Sequence, residues 1–160
     1  MQAEWRMRAL RPLLSRRRCW TVLAIAWMAT LFWSSHRQWE GVGSGIPGLG
    51  NFLHAPFYAL LSGLWALGLG AIGASAAADR GAAPWQATLI ATVFGALDEW
   101  HQSFVPGRTA SLWDVATDLF GAAAAAATIR AYQAGELTDR RRWAAILGLV
   151  ALALTCALGP

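Results

Sequence analysis

The sequence predicts an all-α protein: a polytopic transmembrane bundle of about five helices. Three observations support this fold class. Of the 160 residues, 56% are hydrophobic, and the mean hydropathy is +0.39. The chain contains five apolar runs that are long enough, or nearly so, to cross a bilayer. All 13 basic side chains are arginines, and they cluster at particular ends of these runs. A soluble domain of this length seldom has such a pattern.

The apolar runs and their flanking residues predict the helices in order. The third run is strictly apolar only as far as Leu97, about 21 Å from its start at 1.5 Å per residue. We therefore expect this helix to continue through Asp98 and Glu99 to Phe104. Pro84, at its start, is favourable in the first turn of a helix. The five predicted helices span about 19–35, 52–74, 84–104, 112–129 and 143–158.

The arginines predict how the helices are oriented. Six of them lie in residues 1–18, a predicted basic cytoplasmic arm that precedes a single membrane domain, residues 19–160. With the N-terminus inside, eleven arginines are cytoplasmic and only Arg37 and Arg108 are outside. The positive-inside rule favours this orientation, which places the C-terminus of a five-helix protein outside. If one short helix were merged or lost, Arg140–Arg142 would instead lie on the outer side.

Several other patterns in the chain are interpreted conservatively. No A-x-A site follows the first apolar run, which favours an uncleaved anchor over a secretory signal. No recognition fold follows the basic arm, so we expect no nucleic acid partner. Gly43–Gly48 matches G-x-G-x-x-G but lies in a predicted loop without a preceding strand, as expected of a connector. Cys19 and Cys156 lie at opposite ends of the predicted bundle and cannot form a disulfide.

A polar segment, residues 98–118, lies between two of the apolar runs. It contains four carboxylates, an imidazole, an amide and a guanidinium. A carboxylate near the middle of a membrane costs about 3 kcal/mol on insertion scales. We therefore expect these groups to turn inward, to pair with one another and with Arg108, and to admit water. The sequence thus predicts a polar pocket that opens to the extracytoplasmic side.

Helical spacing assigns the polar groups to three helices. Residues three or four apart share a helix face, as do His54 and Tyr58, Asp98 and Gln102, and Asp114 and Asp118. Glu99 is rotated by about 100° from Asp98, and Ser111 followed by Asp114 matches a capping box at the start of the fourth helix. His54, Asp98 and Asp118 are predicted as a hypothetical acid–base cluster. The predicted ligand-binding residues are Tyr58, Glu99, Gln102, Arg108, Ser111 and Asp114.

The spacing of these residues resembles a known family pattern. The motif is Asp98-Glu99-x-x-Gln102-x-Phe104-x-Pro106-x-Arg108-x-x-Ser111-x-x-Asp114, with Gly121 downstream and His54-x-x-x-Tyr58-x-x-Leu61 upstream. Over about residues 51–121 it is similar to the VanZ-like family of small bacterial membrane proteins, whose namesake is associated with teicoplanin resistance. The chain departs from the family at Gly50-Asn51, where Asp-Lys is frequent, and at Asp118, where Asn is usual. The resemblance implies a multi-pass protein of the bacterial inner membrane, surrounded by lipid, with a role in glycopeptide susceptibility.

Three kinds of function remain open from the sequence. In the first, the pocket recognises or processes a cell-envelope molecule, such as a lipid-linked or cell-wall small molecule. In the second, the polar motif only holds the helices together or binds a partner protein. In the third, the buried carboxylates serve transport or proton relay. The sequence decides neither whether catalysis occurs nor the oligomeric state. Metal binding by His54, Asp98 and Asp118 would suit their chemistry, but no spacing requires it. We therefore expect no metal or cofactor.

Overall fold

The computed structural model describes residues 2–36, 49–72 and 77–158. Over these residues the protein is all-helical, with five helices and no strand, which confirms the predicted fold class. Arg37, the Gly43–Gly48 motif and Ala74 lie outside the described residues. The second helix ends at Leu69 and the third at Gln102, so both end before the predicted Ala74 and Phe104. The helices are α1 (Gln2–Ser35), α2 (Leu49–Leu69), α3 (Ala77–Gln102), α4 (Leu112–Ala134) and α5 (Arg140–Ala157).

All five helices extend at one end beyond the apolar runs that predicted them, and α2 and α5 do so by beginning three residues earlier, at Leu49 and Arg140. α1 begins at Gln2, so the basic arm continues the first helix instead of preceding it. α3 begins at Ala77, which places Pro84 inside the helix and not in its first turn. α4 continues to Ala134 and ends at Gly135, whose φ of 71° is left-handed. Apolar runs mark only the part of a helix suited to lipid, whereas Ala, Arg and Gln also propagate a helix in water.

α4 is the central helix of the bundle. It packs against α2, α3 and α5, whereas α1 packs mainly against α2 and only lightly against α3. Thr117 and Asp118 in its first turns are fully buried, as are Ala122 and Ala126 further along. The polar start of α4 therefore lies inside the bundle, between the neighbouring helices.

α2 and α4 approach each other closely at Gly121. A Cβ atom at this position would lie 2.9 Å from the Cα atom of Ala55 and would also meet the Ala55 carbonyl oxygen. Small residues allow transmembrane helices to approach in this way. Gly121 thus permits the contact that brings His54, one residue before Ala55, beside α4.

Large apolar side chains cover much of the outer surface. Examples are Leu89, Val93 and Leu97 on α3, which are 64%, 50% and 55% exposed. Such extensive apolar exposure is typical of a surface that faces another apolar phase. Among the described residues, two helical segments, Asn51–Leu69 and Leu112–Ala134, are long and apolar enough to cross a bilayer.

Gly121→Ala is expected to destabilise the protein by about 1–3 kcal/mol, the usual range for overpacking. The added methyl group would meet the Ala55 backbone, which cannot rotate away. Thermal unfolding in detergent micelles, followed by circular dichroism, measures the effect. Gly148→Ala on α5 is the matched control, because its Cβ would meet nothing within 4 Å. Equal unfolding temperatures for the two variants would contradict the close contact.

Candidate functional site

Polar side chains from four helices meet at one end of the bundle. They come from the end of α1, the start of α2, the end of α3 and the start of α4. Burial of a charged group is unfavourable unless it is paired or hydrogen-bonded, so the partners of these groups define the site. The most deeply buried are Asp98, Glu99, Gln102, Asp114 and Asp118, all at most 7% exposed.

One pair joins α2 to α4. His54 Nδ1 lies 2.9 Å from Asp118 Oδ1, and Asp118 is fully buried. The Tyr58 ring lies parallel to the His54 ring, with 6.0 Å between their centroids. The Tyr58 hydroxyl and Asp118 Oδ2 have no hydrogen-bond partner among the described residues. A carboxylate on one ring nitrogen fixes the imidazole tautomer, which leaves Nε2 of His54 to act on another group.

Gln102 connects the two adjacent carboxylates of α3. Its Nε2 donates to Asp98 Oδ2 at 3.2 Å and to Glu99 Oε1 at 3.1 Å. Its Oε1 accepts from Nε and Nη2 of Arg108, at 3.1 and 2.7 Å. Asp98 Oδ1 also accepts from Ser35 Oγ of α1 at 2.6 Å. Arg108 therefore contacts the carboxylates through an amide, where the sequence predicted direct pairing.

Glu99 completes the N-terminal cap of α4. Ser111 is the N-cap residue, and its hydroxyl accepts from the Trp113 backbone N–H at 3.2 Å. The Ser111 N–H donates to Glu99 Oε2 at 2.9 Å. In a capping box this donor would bond to the side chain of Asp114. The predicted Ser111–Asp114 box is therefore not formed. The Ser111 hydroxyl accepts from the Trp113 N–H and not from that of Asp114, and Glu99 of α3 takes the place of the Asp114 side chain.

Asp114 is left as a buried carboxylate with a free oxygen. It is 7% exposed, and its Oδ1 has no hydrogen-bond partner in the part of the chain that the structure describes. One ligand atom each from His54, Glu99 and Asp114 lies within 4.8 Å of the other two. Imidazole nitrogen and carboxylate oxygen are ligands for divalent transition-metal ions. The three residues differ from the sequence-based group of His54, Asp98 and Asp118.

The structure adds residues that the sequence did not indicate. Ser35 belongs to the cluster but stands in no motif. Gly95 of α3 makes room for Asp118, because a Cβ atom there would collide with Asp118 Oδ2 and lie 3.0 Å from Tyr58 Cε1. A glycine inside an apolar helix is the one sequence signal that could have identified it.

A separate histidine pair lies at the same end of the bundle. His36 Nδ1 and His101 Nε2 are 3.4 Å apart, and the two rings are stacked. The His101 ring also contacts the Phe32 ring, with 4.5 Å between the centroids. His36 is exposed and His101 half-buried, so this pair is distinct from the buried cluster.

The fold and the site place this protein among the helical membrane proteins, as a bundle with an apolar surface and a buried acidic cluster at its helix ends. The chain belongs to the VanZ/LLP1 family, whose model matches residues 20–133, more than half of the chain. This match confirms the VanZ-like resemblance and extends it to the C-terminal part of α1, from residue 20, and nearly to the end of α4. No curated protein and no solved structure matches the chain.

Gly95→Ala is expected to destabilise the protein by about 1–3 kcal/mol by displacing the Asp118 carboxylate. Adding Asp118→Ala removes that collision, so the double variant should be more stable than the two single effects predict. A coupling of about 0.5 kcal/mol or more is expected for residues in contact. Unfolding free energies of the wild type, both single variants and the double variant measure it.

The control cycle combines Gly95→Ala with Glu136→Ala. Glu136 forms an exposed ion pair with Arg142 beyond the other end of α4. This second cycle is expected to be additive. If both cycles were additive, Gly95 would not be the residue that makes room for Asp118.

Proposed function

We propose that this protein recognises or processes a cell-envelope molecule, through its polar cluster, on the extracytoplasmic side of the bacterial cytoplasmic membrane. The observation that carries this proposal is the burial of four carboxylates at the helix ends, three of which lie close to the His54 imidazole. A purely structural network would be expected to satisfy its own members. Asp114 Oδ1 and Asp118 Oδ2 have no hydrogen-bond partner among the described residues, which favours a cluster that also binds something else.

The arginines support the proposed orientation and a multi-pass topology. The Arg17 guanidinium lies beside Gly70, just after α2, and Arg130 lies beside Gly81 of α3. Arg140–Arg142 begin α5. All of these lie at the end of the bundle opposite the polar cluster. By the positive-inside rule the arginine end is cytoplasmic, so the polar cluster faces outward.

The groups in the cluster suggest the chemistry of the ligand. Carboxylates accept hydrogen bonds from amines and hydroxyls, and the Arg108 guanidinium suits a phosphate. The apolar helix walls around the cluster suit an acyl chain. These features together fit a lipid or cell-wall head group at the outer leaflet. If the bound molecule is also processed, the His54–Asp118 pair is the candidate general acid or base, because the carboxylate orients the imidazole.

An apolar layer argues against a continuous transport path. Toward the arginine end, the bundle is filled by Ala66 of α2, Ala71 just after α2, and Ala83 and Ala87 of α3. Trp65, Leu69 and Ile129 pack against this alanine cluster. A charged or protonic path would require polar groups or water in this layer.

Asp118→Asn, Asp98→Asn and Arg108→Gln test the proposed function. Each change removes a charge from the cluster; the two Asp→Asn changes also keep side-chain size, whereas Arg108→Gln shortens the side chain and removes its two bonds to Gln102. In glycopeptide-susceptible bacteria that express the protein, each variant is expected to reach the wild-type level in the membrane fraction. Each is also expected to return glycopeptide susceptibility to that of cells with an empty vector. Immunoblots and minimum inhibitory concentrations measure the two quantities.

Glu136→Gln is the matched control, because it neutralises a carboxylate outside the cluster, in the exposed pair with Arg142. It is expected to behave as the wild type. Loss of the three cluster variants from the membrane would favour a structural role for the polar motif. Normal levels with wild-type susceptibility would contradict the proposed function.

A further inference from the structure

We propose that His54, Glu99 and Asp114 form a binding site for a divalent transition-metal ion. This inference rests on the proposed function and deepens it, because it names a ligand of the same polar cluster. It also revises the expectation from the sequence that no metal is bound.

The geometry brings one donor from each of three helices together. The ligand atoms of His54 in α2, Glu99 in α3 and Asp114 in α4 lie within 4.8 Å of one another. Around a tetrahedral ion with bonds of about 2.1 Å, ligand atoms are roughly 3.4 Å apart. Side-chain rotations that move each atom by about 1 Å would therefore close the site. Because the donors belong to different helices, no local spacing in the sequence announces them.

The free oxygen of Asp114 is a second, independent indication of a ligand. Buried carboxylate oxygens rarely lack a partner, yet Asp114 Oδ1 is buried without one among the described residues. The cause is local, since Glu99 accepts the Ser111 N–H that Asp114 would accept in a capping box. A bound cation would satisfy this oxygen and compensate for the negative charge.

The neighbouring residues hold the three donors in place. Asp118 contacts His54 Nδ1 at 2.9 Å, which orients the ring and leaves Nε2 for the ion. Carboxylate–histidine–metal arrangements of this kind are common in metal sites. Gln102 and the Ser111 N–H each donate to one oxygen of Glu99, and each oxygen keeps a lone pair for coordination.

The donor set indicates the class of ion. Mg²⁺ and Ca²⁺ prefer six or more oxygen ligands, whereas a nitrogen donor with two carboxylates suits Zn²⁺, Co²⁺ or Mn²⁺. Three protein ligands leave at least one coordination position open, as in metal sites that bind an external oxygen ligand. A phosphate or hydroxyl of an envelope molecule has such an oxygen.

Co²⁺ titration of the purified full chain in detergent micelles tests the site. The protein is first stripped with a chelator, and the visible absorption of bound Co²⁺ is then recorded, followed by displacement with Zn²⁺. One equivalent of Co²⁺ per chain is expected to bind. Asp114→Asn and His54→Gln are expected to abolish this absorption. Asp118 orients His54 without binding the ion, so Asp118→Asn is expected to weaken the affinity for Co²⁺ about 10–100-fold.

Asp114→Asn is the decisive variant, because it preserves size and its Oδ1 has no hydrogen bond to lose among the described residues. Circular dichroism checks that each variant remains helical. The exposed pair of His36 and His101 could also capture Co²⁺, so the titration is repeated with both changed to Ala. Binding is expected to be unaffected by that change. The site would be overturned if Asp114→Asn bound Co²⁺ with wild-type affinity or if the wild type bound none. It would also be overturned if changing His36 and His101 to Ala abolished Co²⁺ binding.

The metal titration and the susceptibility assay fail independently. The titration contains no envelope molecule, and the susceptibility assay adds no metal. If the wild type bound no Co²⁺ while the cluster variants still lost their effect on susceptibility, the metal site would be wrong and the envelope-molecule proposal would stand. Stoichiometric Co²⁺ binding with no effect of the cluster variants on susceptibility would support the metal site and contradict the proposed function.

Discussion

Four carboxylates must be satisfied inside a bundle whose outer surface is largely apolar, and the rest of the structure depends on this constraint. A carboxylate turned outward would face an apolar environment, so all four turn inward, and three of them bond to a partner on another helix. Asp98 bonds to Ser35 of α1, Glu99 to the start of α4, and Asp118 to His54 of α2. The same bonds that satisfy the charges therefore also connect the four helices.

Two glycines bring the helix backbones close enough for these bonds to form. Gly121 lets α4 approach α2 at Ala55, next to His54, and Gly95 leaves space on α3 for the Asp118 carboxylate. Any larger residue would push apart the groups that the polar bonds hold together. The apolar packing face and the polar site are thus two parts of one arrangement, since α4 carries both on neighbouring turns.

The sequence predicted what lies within one helix and missed what lies between helices. Helical spacing correctly paired His54 with Tyr58 on one face, and it placed Asp114 and Asp118 together at the start of the fourth helix. The rotation of one helix against another is set by tertiary packing, which a single sequence does not encode as a period. For this reason the sequence does not indicate Ser35 as part of the site, and it predicts that the Ser111 N–H bonds to Asp114, whereas in the structure Glu99 of another helix accepts it. The extra turns of α1 and α3 were missed because hydropathy marks the lipid-facing part of a helix and not its full length.

Asp118 is one of two places at which this chain departs from the pattern of the family it resembles, in which Asn is usual at this position. An Asn at this position could still accept a hydrogen bond from His54, so the fold does not require the charge. The carboxylate has a different effect, because an anionic partner makes the imidazole a stronger base and a stronger metal ligand than a neutral amide does. Asp118 Oδ1 is bonded to His54, but Oδ2 is buried without a hydrogen-bond partner among the described residues. The negative charge of the Asp118 carboxylate is therefore only partly compensated by these residues. The Asp118 carboxylate therefore adds to the negative charge that the proposed cation at His54, Glu99 and Asp114 would compensate, so this departure bears on the ligand of the proposed site more than on the fold.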